Sequence, residues 1–251
     1  MLPGTVVSLV PSQTELLYWL GLEAEVAGIT KFCVHPAAWQ KSKAVIGGTK
    51  NIDSNKIHSL KPALIIANKE ENVKEQVEEL AADHPVFVTD VNNFEEALLM
   101  IKQLGALTGK DQQAVELTDA VIKNFSSITP VVHTTLKVCY LIWNNPYMTV
   151  GGDTFISDML SKAGFENAFQ QLNRYPQVSV DDIRNSGADI ILLSSEPYPF
   201  KEKHKSELAQ LLPAKKIIFT DGEMFSWYGS RMLLAPEYFL ALHKQVNHLN
   251  S

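Results

Sequence analysis

Cys33 and His35 stand two residues apart in a segment without helical period, Lys31-Phe32-Cys33-Val34-His35-Pro36. On an extended chain, residues i and i+2 share a face. A thiolate and an imidazole placed that way could ligate one ion, or act as nucleophile and base. Glu70, Glu71, Glu196 and Glu223, in other polar segments, could complete a metal set. Against a metal centre, there is no Cys-x-x-Cys and no histidine pair at i, i+4. Against a nucleophile, no third orienting residue is identifiable and no G-x-S-x-G elbow exists. His58, His84, His133, His204, His243 and His248 read as scattered surface or interface residues. Gly47-Gly48-Thr49-Lys50 lacks the spacing of a phosphate loop, and no strand is expected immediately before it, so the glycines read as a tight turn. Cys139, inside an apolar run, reads as a core thiol, and no disulfide is expected. The residues favour binding over catalysis.

These segments take their meaning from the elements between them. Thr5–Val10 is a β-rich run; Ser12 then has the chemistry of an N-cap, with Glu15 three residues on, ahead of a helix over Gln13–Leu20. Strands are expected at Ala27–Thr30, Ala63–Ala67 and Pro85–Thr89, with helices at Val73–Ala82 and Phe94–Leu107. One sustained helix follows from Asp111 to Phe125, broken at Ser126 to Pro130. The alternation then restarts: strands at Leu136–Trp143, Asp189–Leu193 and Lys215–Thr220, helices at Phe155–Lys162, Asp181–Ser186, Ser206–Leu212 and Leu233–Leu249. Aliphatic runs separated by helices are the pattern of parallel βαβ units. The fold class is therefore α/β: an N-terminal lobe over 1–108, a bridging helix over 109–128 and a C-terminal lobe over 129–251. Both lobes have mostly parallel central sheets, and the cleft between them is the expected ligand site.

Parallel sheets bind ligands beyond the carboxyl ends of their strands. The segments found there hold much of the chain's polar and aromatic variety: Pro11 to Gln13, Lys31 to Pro36 with Phe32, Cys33 and His35, Gly47 to Asn51 with Lys50, Asn68 to Asn72, Trp143 with Asn144 to Tyr147, Ser195 to Tyr198 with Glu196, and Asp221 to Arg231 with Trp227 and Tyr228.

Composition bounds the function. The 251 residues carry 22 basic and 28 acidic side chains, a net charge of −6, which argues against a nucleic-acid partner. At 45% hydrophobic the chain builds cores rather than disorder, and no apolar run reaches the roughly 20 residues of a spanning helix. Met1-Leu2-Pro3-Gly4 runs straight into the first strand without a cationic start. Either the protein is cytoplasmic, or a leader has been removed and Met1 replaced it.

Four stretches carry a family likeness: VVSLVPSQTELLYWLGL near the start, LKPALIIAN at 60–68, YPQVSVDDI at 175–183 and GADIILLSS at 187–195. Together they resemble the substrate-binding proteins of ABC importers that carry cobalamin, siderophores or haem, and most of all the cobalamin-binding members. The resemblance implies two α/β lobes bridged by one long helix, little hinge motion, and a metal chelate held in the cleft with no intrinsic cofactor. It implies a monomer, periplasmic or lipid-anchored, with an ABC permease as partner. Aromatic cleft positions fall at Phe32 and His35 and near Met224-Phe225, with Trp227 and Tyr228 close by; those after LKPALIIA and near GGTK hold Asn68 and Gly48 or Thr49. Lys50, Lys69, Arg174 beside Tyr175, and Arg231 could meet carboxylates of the chelate, or pair instead with Glu70, Glu71, Glu196 or Glu223. His35 could reach an axial position on the chelated metal. Permease docking falls near Glu71 or Glu75 on the first lobe and near Glu223 on the second. The alternatives are a cytoplasmic ligand sensor, a protein binding a free metal ion through Cys33 and His35, and, third, an enzyme using that pair.

Overall fold

The structure, a computed structural model, describes residues 4–128 and 136–248. The helix expected to break at Ser126 to Pro130 runs on through Ser126 to Ile128; the rest of that break, Thr129-Pro130, lies outside the described residues, as do His133 and the last residue of the expected terminal helix, Leu249.

The chain opens β1 (Val6–Ser8), α1 (Pro11–Trp19), β2 (Val26–Ile29), α2 (Trp39–Ser42), β3 (Ala44–Val45), α3 (Ser54–Leu60), β4 (Leu64–Asn68), α4 (Lys74–Ala81) and β5 (Val86–Thr89). Two long helices follow, α5 (Phe94–Thr108) and α6 (Asp111–Ile128). Next come β6 (Lys137–Leu141), α7 (Phe155–Lys162), β7 (Glu166–Asn167), α8 (Val180–Asn185), β8 (Ile190–Ser194), α9 (Glu202–Leu211), β9 (Lys216–Thr220), α10 (Glu223–Ser226) and α11 (Ala235–His248). A 3₁₀ turn, Ser230–Leu233, precedes α11.

The described chain forms two compact units. The first comprises residues up to Val91, Glu95–Ala120 and Tyr228–Arg231; the second comprises Asn92–Phe94, Val121–Trp227 and the residues from Met232. Unit 1 holds a five-stranded sheet in the order β3-β2-β1-β4-β5, with every pairing parallel. Unit 2 holds a four-stranded sheet, β7-β6-β8-β9, again all parallel.

The central strands are buried on both faces, which is why they read as unbroken aliphatic runs: Leu64 to Asn68 and Ile190 to Ser194 are out of solvent throughout. On one face of the first sheet Val7, Leu9, Ile65 and Ala67 pack with Ile57, Val77 and Leu80. In unit 2, Cys139, Leu141, Ile191 and Leu193 pack with Ile183, Leu208 and Phe169. Each fully buried aliphatic side chain contributes about 1.5–3 kcal/mol, so each cluster is a substantial part of what holds its sheet.

Three local readings are corrected. Ser12 is not the N-cap of α1. Val10 takes that place without a side-chain cap and Pro11 opens the first turn, where its fixed φ and missing N–H cost nothing. A two-residue strand, β3, does precede Gly47, whose φ of 104° makes the expected turn. Helix α9 begins at Glu202, four residues before the expected start. No helix among the described residues is long and apolar enough to cross a membrane.

Candidate functional site

In an open parallel sheet the ligand position is where neighbouring connections leave on opposite sides of the sheet. With β1 flanked by β2 and β4, that position in unit 1 lies over the β1–α1 and β4–α4 connections. A buried web of amides and hydroxyls fixes both. Asn68 Oδ1 accepts from the backbone N–H groups of Glu70 and Glu71 at 2.9 and 3.0 Å, and its Nδ2 donates to the Thr89 carbonyl at 3.0 Å. Asn72 Oδ1 accepts from the Asn68 N–H at 2.8 Å, while its Nδ2 reaches the carbonyls of Leu9 and Thr49 at 3.3 and 3.0 Å. Gln13 Nε2 donates to Thr89 Oγ1 at 2.6 Å. Loops following β1, β3, β4 and β5 are thereby tied through buried groups, and losing one partner strands another without water.

Above this floor Phe32 is 50% exposed. Its ring lies against Gly48, where a Cβ would crowd it, and Lys31 Nζ stands 5.0 Å from the ring centre. His35 is half-buried in the same loop. Lys69 Nζ pairs with Asp90 Oδ2 at 2.7 Å, and Lys50 Nζ donates to the Glu70 carbonyl. Glu71 is half-buried, and Glu75 is exposed in the first turn of α4.

In unit 2 the corresponding position falls between β6 and β8. Trp143, two residues past β6 and 40% exposed, meets Tyr198, four residues past β8, edge to face at 5.4 Å between ring centres. Tyr198 is itself held: its hydroxyl lies 3.0 Å from His204 Nε2 and accepts from Asn144 Nδ2 at 3.4 Å. Beside them Glu196 Oε1 accepts from the Trp227 indole N–H at 2.9 Å and from the Ser226 hydroxyl. Burial pushes the Glu196 carboxyl above the ordinary range; the charges of Glu223 and Asp221 push the same way, and the two hydrogen bonds oppose them. Arg174 Nη1 donates to Asn92 Oδ1 at 2.9 Å and lies 3.9 Å from Asp153 Oδ2, with its guanidinium over the Tyr175 ring.

The segment Tyr228–Arg231 packs with unit 1. Gly229, at φ 118°, lies where a Cβ would press on Leu16, so the segment rests directly on α1. Arg231 there grips Glu15 with two parallel hydrogen bonds, Nε to Oε2 at 3.0 Å and Nη2 to Oε1 at 2.7 Å.

Two parallel α/β units with aromatic and polar side chains gathered on their post-strand loops are the frame of a binding protein, and a family profile agrees. Residues 6–214 match the profile described as periplasmic binding protein. The chain belongs to that family. Among curated relatives it is 28% identical over 239 residues to the vitamin B12-binding protein of Photorhabdus laumondii, covering 94% of this chain and 86% of that one. Among solved structures it resembles the periplasmic haem-binding protein RhuT of Roseiflexus sp. RS-1, with TM-score 0.83, 19% identity, and 96% and 98% of the two chains covered. A periplasmic haem-binding protein of Pseudomonas aeruginosa gives TM-score 0.82 at 17% identity over 96% and 92%. At such identities the structures establish the fold.

The side-chain geometry gives several of the expected site residues other partners or surroundings. Cys33 is fully buried, with Sγ 3.1 Å from Thr14 Oγ1 and 3.2 Å from Thr30 Oγ1. Burial pushes its thiol up, which disfavours the thiolate that a nucleophile or a metal ligand needs. Among the described residues no three His, Cys, Asp or Glu side chains already stand in place around a common point to hold a metal ion, Cys33 and His35 included. Asn68 is buried and its amide serves the loop itself. The four cations have partners elsewhere in the chain: Lys69 with Asp90, Arg174 with Asp153, Arg231 with Glu15, Lys50 with the Glu70 carbonyl. In none of the three ion pairs is the carboxylate one of the four expected. Trp227 and Tyr228 are buried, whereas Phe32 and Trp143 are exposed.

Gln13, Asn72 and Tyr198 lie in post-strand segments that the sequence singles out, but their bracing roles, and that of Thr89, are not legible there. Asn72 carried a local signal, four residues after Asn68 in a polar turn, and Tyr198 closely follows a strand end.

Proposed function

We propose that this chain is the substrate-binding component of an ABC importer, carrying a metal chelate of the corrinoid, haem or ferric siderophore class. It works outside the cytoplasmic membrane and delivers its cargo to a permease. The observation that carries this reading is the pair of exposed aromatic faces on post-strand loops, Phe32 in one unit and Trp143 backed by Tyr198 in the other. Large flat chelates bury well against such faces, with polar groups setting orientation. The engaged cations favour a ligand held by ring packing and hydrogen bonds rather than by ion pairs. His35 supplies an imidazole at the Phe32 loop as an axial donor to the chelated metal. Glu71 or Glu75 in unit 1 and Glu223 in unit 2 meet the permease.

A thermal-shift screen with cobalamin, haem, several ferric siderophores and free divalent ions tests the reading, because a ligand bound only by the folded state raises its melting temperature. A rise of several degrees with one chelate supports it; a response to free ions alone contradicts it. With the responding chelate, His35→Ala should change the visible spectrum of the complex, and an unaltered spectrum removes the axial role. Charge reversal at Glu71 and Glu223 should lower uptake while leaving chelate binding intact; unchanged uptake removes the docking role.

A further inference from the structure

His58 lies on the last turn of α3 and His84 in the turn between α4 and β5. Both stand at the amino ends of strands, at the opposite edge of the unit 1 sheet from the loops described above. His58 Nδ1 is 3.0 Å from His84 Nε2, and the rings are tilted by 36° with centres 5.0 Å apart. The Asp83 carboxylate adjoins them, Oδ2 lying 4.0 Å from His58 Nδ1, and both Asp83 and His58 are open to water at 68% and 34%.

We propose that His58 and His84 form a chelating site for a borderline divalent ion of the Cu²⁺, Ni²⁺ or Zn²⁺ type, with Asp83 swinging in as third donor and water completing the shell. Two nitrogens each about 2.1 Å from an ion and about 90° apart stand about 3 Å from one another. The facing nitrogens already have that separation. Imidazole suits these ions, whereas Mg²⁺ and Ca²⁺ demand oxygen. The protons balance without a further reagent. Two neutral rings carry two protons; in the free pair one of them lies between the facing nitrogens. On binding, that proton moves to the far nitrogen of its own ring, so that His58 Nε2 and His84 Nδ1 are protonated and both facing lone pairs go to the ion. The third donor is close but not in place, and Asp83 is exposed enough to turn without disturbing the core. A bound ion would fasten α3 to the turn leading into β5, two parts of unit 1 that are 26 residues apart.

The test is a Cu²⁺ titration of the untagged full chain, read by calorimetry and electron paramagnetic resonance, with Ni²⁺ and Zn²⁺ followed by thermal shift. The expected result is one saturable equivalent with nitrogen hyperfine splitting. H84A should weaken it at least tenfold, as should H58A, with H58N replacing H58A if circular dichroism shows a fold defect. D83N should weaken it severalfold. Wild-type affinity retained in an H58N/H84A double variant would overturn the proposal, and so would the absence of saturable binding by the wild type.

Discussion

Arg231 donates through Nε and Nη2 to the two carboxylate oxygens of Glu15, across 216 positions of sequence and with both side chains largely out of water. The bond fastens the segment Tyr228–Arg231 to α1 within unit 1. Removing one member of such a pair leaves the other charge buried alone, which costs about 3 kcal/mol. Chemical denaturation of Arg231→Ala and Glu15→Ala should show losses of that order. Arg231→Lys should recover only part, because an ammonium cannot reproduce the parallel fork.

The two thiols should be silent in the folded protein. Cys33 is fully buried beside Thr14 and Thr30, and burial drives its thiol up; Cys139, in the core of unit 2, is pushed up to about 12. A chromogenic thiol reagent near neutral pH should label neither quickly in native buffer and both once the chain is denatured. A fast native reaction removed by Cys33→Ala would reinstate the nucleophile reading.

Glu196 sets a pH dependence whose direction is fixed. Burial raises its folded value above the ordinary one near 4.5, with Glu223 and Asp221 adding to the rise against the bonds from Ser226 and Trp227. Below the ordinary value, folded and unfolded states are both protonated and the contribution is fully present. As pH rises through the folded value, the unfolded state releases its proton more readily and that stability is lost. The stability of wild type relative to Glu196→Gln should therefore fall from pH 4.5 upward and then level off. Melting temperatures of the two proteins across that range measure it; a constant difference would contradict the burial argument.

What could be read from sequence follows from range. Aliphatic runs such as LIIAN and IILLS reveal buried parallel strands because both faces must be apolar, and the long helices announce themselves by period. The two-residue edge strands β3 and β7 carry too little pattern to be seen. The loops from which a site is built were legible as positions after strands, but the duties of their side chains were not. Asn68 reads in sequence as a ligand contact, and its amide braces the loop; Arg231 reads as a chelate contact or the partner of Glu70, Glu71, Glu196 or Glu223, and it holds Glu15. Both outcomes depend on partners that only the folded chain brings close. Trp143 is conspicuous in the sequence as an aromatic at a strand end, whereas its contact with Tyr198 depends on β6 and β8 being neighbours.

The central proposal is that exposed aromatic side chains on post-strand loops bind a metal chelate. It is tested most directly by titrating wild type, Phe32→Ala and Trp143→Ala with cobalamin, haem and ferric siderophores, following visible absorbance. Both side chains are about half exposed, so their truncation should leave folding nearly unchanged. The account predicts one chelate bound at a single saturable site, with affinity lowered about tenfold in each variant, the equivalent of about 1.4 kcal/mol. Saturable binding that neither truncation weakens, or no binding of any chelate, would contradict it.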